Sequence, residues 1–296
     1  MNRRTRHLPL LFVLVITFDI ASLAVLAQPP TPTVLPTATP ITPVEHNILF
    51  RPIQHDDNPV HWADRSYPYG STQGGKREVH LGVEFVNRRG TEVFTSLAGK
   101  VIFAGQDDKT QLGPQQDYYG KAVIIAHDVE SLAGEQIFTL YGHLETIAVE
   151  SGQQVDDLEL IGSIGSSGVA IGAHLHYEIR ADDPFNYRAT RNPALWLQHY
   201  GGRGLLIGAV HDAEGEFIYG KRLVLRNHKL RREVYTYASQ RVNPDTFWGE
   251  NFSISDLPAG EYQLVVLSDT GGIAYREMMT VAPLRTTFVT IALDQR

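Results

Sequence analysis

The stretch Gly172-Ala173-His174-Leu175-His176-Tyr177-Glu178-Ile179-Arg180 reads as a β-strand that opens after a glycine. Side chains two apart on a strand share a face, so His174 and His176 stand side by side while Leu175 and Tyr177 point the other way. Such a strand presents two imidazoles to one metal site. Taken alone, the pair also fits two ordinary surface or core histidines, and the surrounding sequence has to decide.

Outward from this strand, glycines recur at short intervals from Gly70 onward. Between them lie short runs rich in β-branched residues, such as Val101-Ile102-Phe103, Ala122-Val123-Ile124-Ile125 and Gln136-Ile137-Phe138-Thr139-Leu140-Tyr141. Many short strands without a long helical period predict an all-β domain over residues 45–200. The segment Asp107 to Asp117 lacks apolar periodicity and is expected to be a loop that rims a groove. Asn192-Pro193-Ala194-Leu195-Trp196-Leu197 reads as a short helical turn closing the domain, with Trp196 as a packing anchor. After Gly201-Gly202, strand-like runs at Leu205 to Val210, Leu223 to Leu225, Val234 to Tyr237, Gln263 to Leu267, Ile273 to Met279 and Phe288 to Leu293 alternate with turn clusters. About seven strands in this length predict a β-sandwich over residues 203–296.

The N-terminus reads as an export signal over residues 1–27. Arg3, Arg4 and Arg6 precede an apolar run from Leu8 to Leu26, and Val25-Leu26-Ala27 offers a cleavage site. Asp19 within the run argues against a permanent span, because a charge at mid-bilayer costs about 3 kcal/mol on insertion scales. Left uncleaved, the segment would be a membrane tether. Residues 28–44 are dominated by Pro, Thr and Ala, the composition of an extended spacer. Export to the cell envelope or the medium follows as the expected localisation.

A chain of 296 residues with 43% apolar content can bury a full core and has room for roughly two domains. The formal net charge is -7, with Lys and Arg scattered among carboxylates, so no nucleic-acid groove is expected. Without cysteine, any metal must be held by His, Asp or Glu.

Upstream, Val79-His80-Leu81-Gly82-Val83-Glu84-Phe85 places His80 and Glu84 four apart, hence on one face if the stretch is a strand. Paired with the strand carrying His174 and His176, it would bring imidazoles and a carboxylate together. Nitrogen and oxygen donors with one position left for water suit zinc. In Thr139-Leu140-Tyr141-Gly142-His143-Leu144 an apolar strand ends in a histidine beside a glycine that leaves room for a substrate backbone, a place suited to proton transfer near neutral pH.

These segments, in this order, resemble the lysostaphin-like and LytM-like zinc metallopeptidases that cut peptide cross-links in bacterial cell walls. The resemblance covers roughly Tyr67 to Arg180 and includes Ala98-Gly99-Lys100-Val101-Ile102-Phe103-Ala104-Gly105, Val149-Glu150-Ser151-Gly152 and Ile161-Gly162-Ser163-Ile164-Gly165. It implies a domain of antiparallel sheets with a groove. It also implies His80, Glu84 and His176 as zinc ligands, His143 and His174 as uncoordinated catalytic histidines, and peptidoglycan peptides as substrate. A monomer is expected. Tyr69, ahead of the first ligand, could hydrogen-bond the oxyanion. The departure from the family is Glu84, where aspartate is usual. The second half resembles carboxypeptidase regulatory-like or transthyretin-like modules through Gly208-Ala209-Val210-His211-Asp212 and Leu257-Pro258-Ala259-Gly260-Glu261-Tyr262.

Three other functions compete. A degenerate domain would bind wall peptides, or regulate another hydrolase, without cutting. A biotinyl- or lipoyl-type carrier needs a lysine at a hairpin tip, and no Lys lies between Lys121 and Lys221. An adhesive protein would act through the C-terminal sandwich, whose default role is to brace the first domain. Ser166 and Ser167 lack the partners of a serine nucleophile.

Overall fold

Alternation of apolar and polar residues sets the strands, and glycines and short polar turns separate them. A computed structural model describes residues 45–54, 61–199 and 201–293. The expected export signal and the Pro/Thr-rich spacer lie outside the described residues.

The first half carries β1 (Val83–Val86), β2 (Glu92–Phe94), β3 (Gly99–Gln106), β4 (Lys121–Glu130), β5 (Gln136–Gly142), β6 (Leu144–Ile147), β7 (Gln154–Val155), β8 (Leu160–Ile164), β9 (His174–Ala181) and β10 (Thr190–Arg191). A seven-stranded sheet runs β1-β9-β5-β4-β3-β7, with β10 added on β9, and a three-stranded sheet runs β2-β8-β6. Every pairing in both is antiparallel. The second half carries β11 (Arg203–His211), β12 (Arg222–Arg226), β13 (Arg231–Tyr235), β14 (Phe252–Pro258), β15 (Gly260–Leu267), β16 (Ile273–Val281) and β17 (Thr286–Ala292). They form sheets β14-β11-β17 and β13-β12-β15-β16, around a core that includes Leu206, Leu225, Phe252 and Leu264. The pair β11 and β17 is parallel. The described chain is thus all-β, relieved by one 3-10 turn at Pro193–Leu195, which Asn192 caps through its side chain. As expected, Trp196 behind this turn is fully buried.

β9 is central to the first half because it is buried on both faces. Leu175, Tyr177 and Ile179 on one face enter the main core, each with no exposed surface. Burying an aliphatic side chain of this size stabilises by about 1.5–3 kcal/mol. A one-residue slip would turn that face outward, so the core fixes which way the histidines point.

Two expectations are corrected. β1 starts only at Val83, so His80 does not share a strand with Glu84. It lies in the segment ahead, held by main-chain bonds from Gly70 N to His80 O at 2.7 Å and from His80 N to Ser71 O at 2.9 Å. In the second half, Phe252–Pro258, absent from the strand-like runs expected above, is a full strand and supplies part of the core.

The halves are joined by buried polar contacts. His46 stacks on Trp196 at 3.9 Å and bonds Asp245 at 2.9 Å. Arg51 pairs with Asp256 at 2.7 Å, and Tyr69 packs edge-on against Tyr237.

Candidate metal centre and cleft

β9 presents His174, His176, Glu178 and Arg180 on the face opposite the core residues, by the same two-residue period. In the antiparallel pairing with β1, Glu84 lies directly opposite His176. His80 comes in from the preceding segment, with its ring stacked on Tyr67. Gly82 makes room for this: a Cβ there would lie 2.7 Å from Nε2 of His176 and 2.6 Å from the carbonyl of Tyr177. His143 follows the end of β5 with φ of 63°, a left-handed conformation, and its ring centroid is 4.8 Å from that of His174. All five residues line a cleft of about 360 Å³.

Hydrogen bonding sets the tautomers. Nδ1–H of His80 donates to the Tyr67 carbonyl at 2.5 Å, which leaves Nε2 as a lone pair. Nε2–H of His176 donates to Glu178 at 3.0 Å, which leaves Nδ1 as a lone pair. These two free nitrogens face each other at 3.3 Å. Two nitrogens on one tetrahedral zinc stand roughly 3.4 Å apart, given bonds of about 2.0–2.1 Å. Opposed lone pairs repel unless a proton or cation lies between them. Glu84 Oε1 completes the set, 3.9 Å from Nε2 of His80, and the three donor atoms lie within 4.8 Å of one another. The donor set therefore fits zinc. Measured from His80, the carboxylate sits about half an ångström beyond a tetrahedral edge, and it is also 3.7 Å from Nε2 of His174.

His143 and His174 are held alike. Nδ1–H of each donates to a carbonyl, of Ser167 at 2.8 Å and of Gly172 at 3.1 Å, so each Nε2 is an acceptor. Burial, followed by the neighbouring imidazoles His176 and His174, pushes His143 down to about 3. Burial also lowers His174, against the opposing pull of the Glu84 carboxylate. His80 is driven well below its ordinary value by burial and by His176. All three are therefore neutral at pH 7, the form that binds metal and accepts protons.

Behind the ligands, Glu178 is completely buried and accepts from His176, from Tyr119 Oη and from Nε of Arg180 at 2.7 Å. Burial opposes its charge, but Arg180 and the bonds from His176 and Tyr119 outweigh it and hold the carboxyl at about 2. Glu178 and Arg180 carry no expected role from the sequence, although extending the two-residue period beyond His174 and His176 lands on both. Tyr69 is not at the cleft: its hydroxyl bonds Thr190 and, at 3.1 Å, the Asn243 carbonyl. Tyrosines that do line the cleft include Tyr67, Tyr118, Tyr119 and Tyr187. The space beside Gly142 is filled by Tyr119, whose ring would be 2.9 Å from a Cβ there, so that glycine serves packing and not a substrate backbone.

Residues 78–187 match the model of peptidase family M23. This segment holds every residue of the cluster. The chain is 32% identical over 137 residues to the uncharacterized lipoprotein YgeR of Escherichia coli, covering 46% of this chain and 45% of that one. It is 34% identical over 102 residues to the DD-carboxypeptidase/endopeptidase Mpg of Neisseria meningitidis serogroup B, covering 34% of this chain and 20% of that one. The match thus spans less than half the length of either relative. Among solved structures, the catalytic domain of the antimicrobial peptidase lysostaphin from Staphylococcus simulans aligns with 45% of this chain and 86% of its own, at 25% identity and a TM-score of 0.34.

Proposed function

We propose that this chain is an exported, zinc-dependent endopeptidase that hydrolyses peptide bonds in peptidoglycan cross-links or stem peptides. The observation that carries the reading is the facing of the His80 and His176 lone pairs at 3.3 Å beside the Glu84 carboxylate, with two further neutral imidazoles lining the same cleft. The match to family M23 and the endopeptidase name of Mpg support the reaction class, and the names of YgeR and Mpg support the cell envelope as its setting.

His80, Glu84 and His176 would hold the metal. When bound there, zinc supplies Lewis acidity toward a carbonyl and a water of pKa about 7. His143 and His174, fixed by their carbonyl bonds, present Nε2 to the substrate. One accepts the proton of the attacking water and returns it to the leaving amine. The other, with its Nε2 also a free acceptor, orients the attacking water by accepting its second hydrogen bond. Glu178 keeps the His176 ring turned so that Nδ1 faces His80. Residues 45–200 form the hydrolytic module in this reading, and residues 203–296 form a transthyretin-like module that braces it.

A second reading is a domain that binds wall peptides without cutting them. It rests on Glu84, whose carboxylate is nearer His174, at 3.7 Å, than His80, at 3.9 Å. Zinc content and the release of new amino groups from purified peptidoglycan decide between the two. The endopeptidase binds about one zinc per chain, loses it in His176→Ala, and releases amines. A protein that stays metal-free in added zinc, and fills only as Glu84→Asp, is the binding domain.

A further inference from the structure

The cleft at the metal centre does not end at the ligands. A wall that includes Val79, Leu81, Tyr118 and Tyr187 is shared with a second hollow of about 560 Å³. The far side of that hollow is built by Arg188 of the first half and by Ser239 and Arg241 of the second. Both guanidinium-bearing residues are exposed, and neither forms an ion pair among the described residues. The lining holds two arginines against one carboxylate residue, the exposed Glu78 on the wall shared with the metal cleft, an excess of positive charge that stands out in a chain whose net charge is -7.

Their positions are fixed by packing and not by chance proximity of loops. Ala238 N bonds the Gly70 carbonyl at 2.9 Å. Asn243 Nδ2 bonds the Arg188 carbonyl at 2.5 Å and the Thr190 carbonyl at 3.2 Å. Tyr237 and Val242, on either side of Ser239 and Arg241, are buried with Tyr69 and Leu81 in a small core of their own. Gly70 lies so close to Tyr237 that a Cβ would stand 2.3 Å from its ring. The loop of the second half is thus clamped onto the first, beside the backbone that carries Arg188.

We infer that Arg188 and Arg241 form a carboxylate-binding subsite at the far end of the substrate cleft, and that the second half thereby takes part in substrate selection. Guanidinium binds carboxylate in a planar, two-pronged geometry, and two such groups on one wall favour a peptide that carries a free carboxylate. The inference rests on the peptide-hydrolase reading for its substrate class. In this arrangement the scissile bond lies at the metal centre and a carboxylate elsewhere on the same peptide reaches the arginines.

The test uses the full zinc-loaded chain and muramidase-solubilised peptidoglycan fragments, either untreated or with their carboxylates amidated. Binding and amine release are measured separately. The untreated fragments bind with a KM or Kd roughly tenfold lower at unchanged kcat, the scale of one charge-assisted hydrogen bond. Arg188→Gln and Arg241→Gln each remove most of that preference, Arg241→Lys keeps part of it, and zinc content and melting temperature stay as in the parent. Equal cleavage of both preparations, or a preference that survives the double Gln variant, overturns the subsite and leaves the hydrolase standing. Arginine-dependent binding of untreated fragments without any amine release upholds the subsite and overturns the hydrolase.

Discussion

Glu178 shows how much of the centre is decided behind the ligands. Its carboxylate ties His176, Tyr119 and Arg180 together in a space closed to solvent. Removing a bond that orients a metal-binding imidazole typically weakens the metal 10–100-fold, and leaving one partner of a buried ion pair alone costs about 3–5 kcal/mol. Glu178→Gln is therefore expected to lower the melting temperature and to weaken zinc by about one to two orders of magnitude in chelator competition. His143→Ala, which lacks that ion pair, leaves zinc affinity near that of the parent while abolishing hydrolysis.

At the scale of elements, the centre depends on how tightly the segment before β1 lies against β9. Gly82 is the point of closest approach, with no space for a Cβ between Nε2 of His176 and the Tyr177 carbonyl. In Gly82→Ala either the backbone or the imidazole must move, and overpacking of this kind costs about 1–3 kcal/mol. The expected result is a lower melting temperature together with weaker zinc binding, because the displaced ring loses its bond to Glu178. Gly105→Ala is the control. Its Cβ would meet nothing nearer than 4.0 Å, so its stability should stay within about 0.5 kcal/mol of the parent.

At the scale of the whole molecule, the junction between the halves carries a pH dependence. Glu250 is completely buried, accepting from Tyr237 Oη at 2.5 Å and from Asp245 N at 2.9 Å, while Asn192 of the first half donates to Tyr237 at 3.0 Å. Burial raises Glu250 to about 8, with Asp245 adding to the rise and Tyr237 opposing it. The folded value lies above the unfolded one, so the folded chain holds this proton more tightly. The associated stability is fully present below pH 4.5 and is lost as pH rises toward 8. One proton accounts for a slope of at most about 1.4 kcal/mol per pH unit. Glu250→Gln should match the parent near pH 5 and melt higher near pH 8.5 in parallel thermal scans. A parent slope unchanged by the substitution would show that another group carries it.

The all-β class and the strand at His174–Ala181 are legible in local chemistry: the two-residue alternation of β9 and the β-branched runs between glycines. The grouping of His80, Glu84, His143, His174 and His176 comes from the order of the motifs and the family they resemble, and all five line one cleft. How His80 arrives is a property of the folded chain, since its position comes from main-chain bonds to Gly70 and Ser71 and not from sharing a strand with Glu84. The tertiary structure also moved Tyr69 from the cleft to the junction, put Tyr119 in the space beside Gly142, and set Arg241 beside Arg188. Those contacts join residues far apart in the chain. No spacing rule encodes them, because burial and hydrogen-bond satisfaction across the finished fold select them.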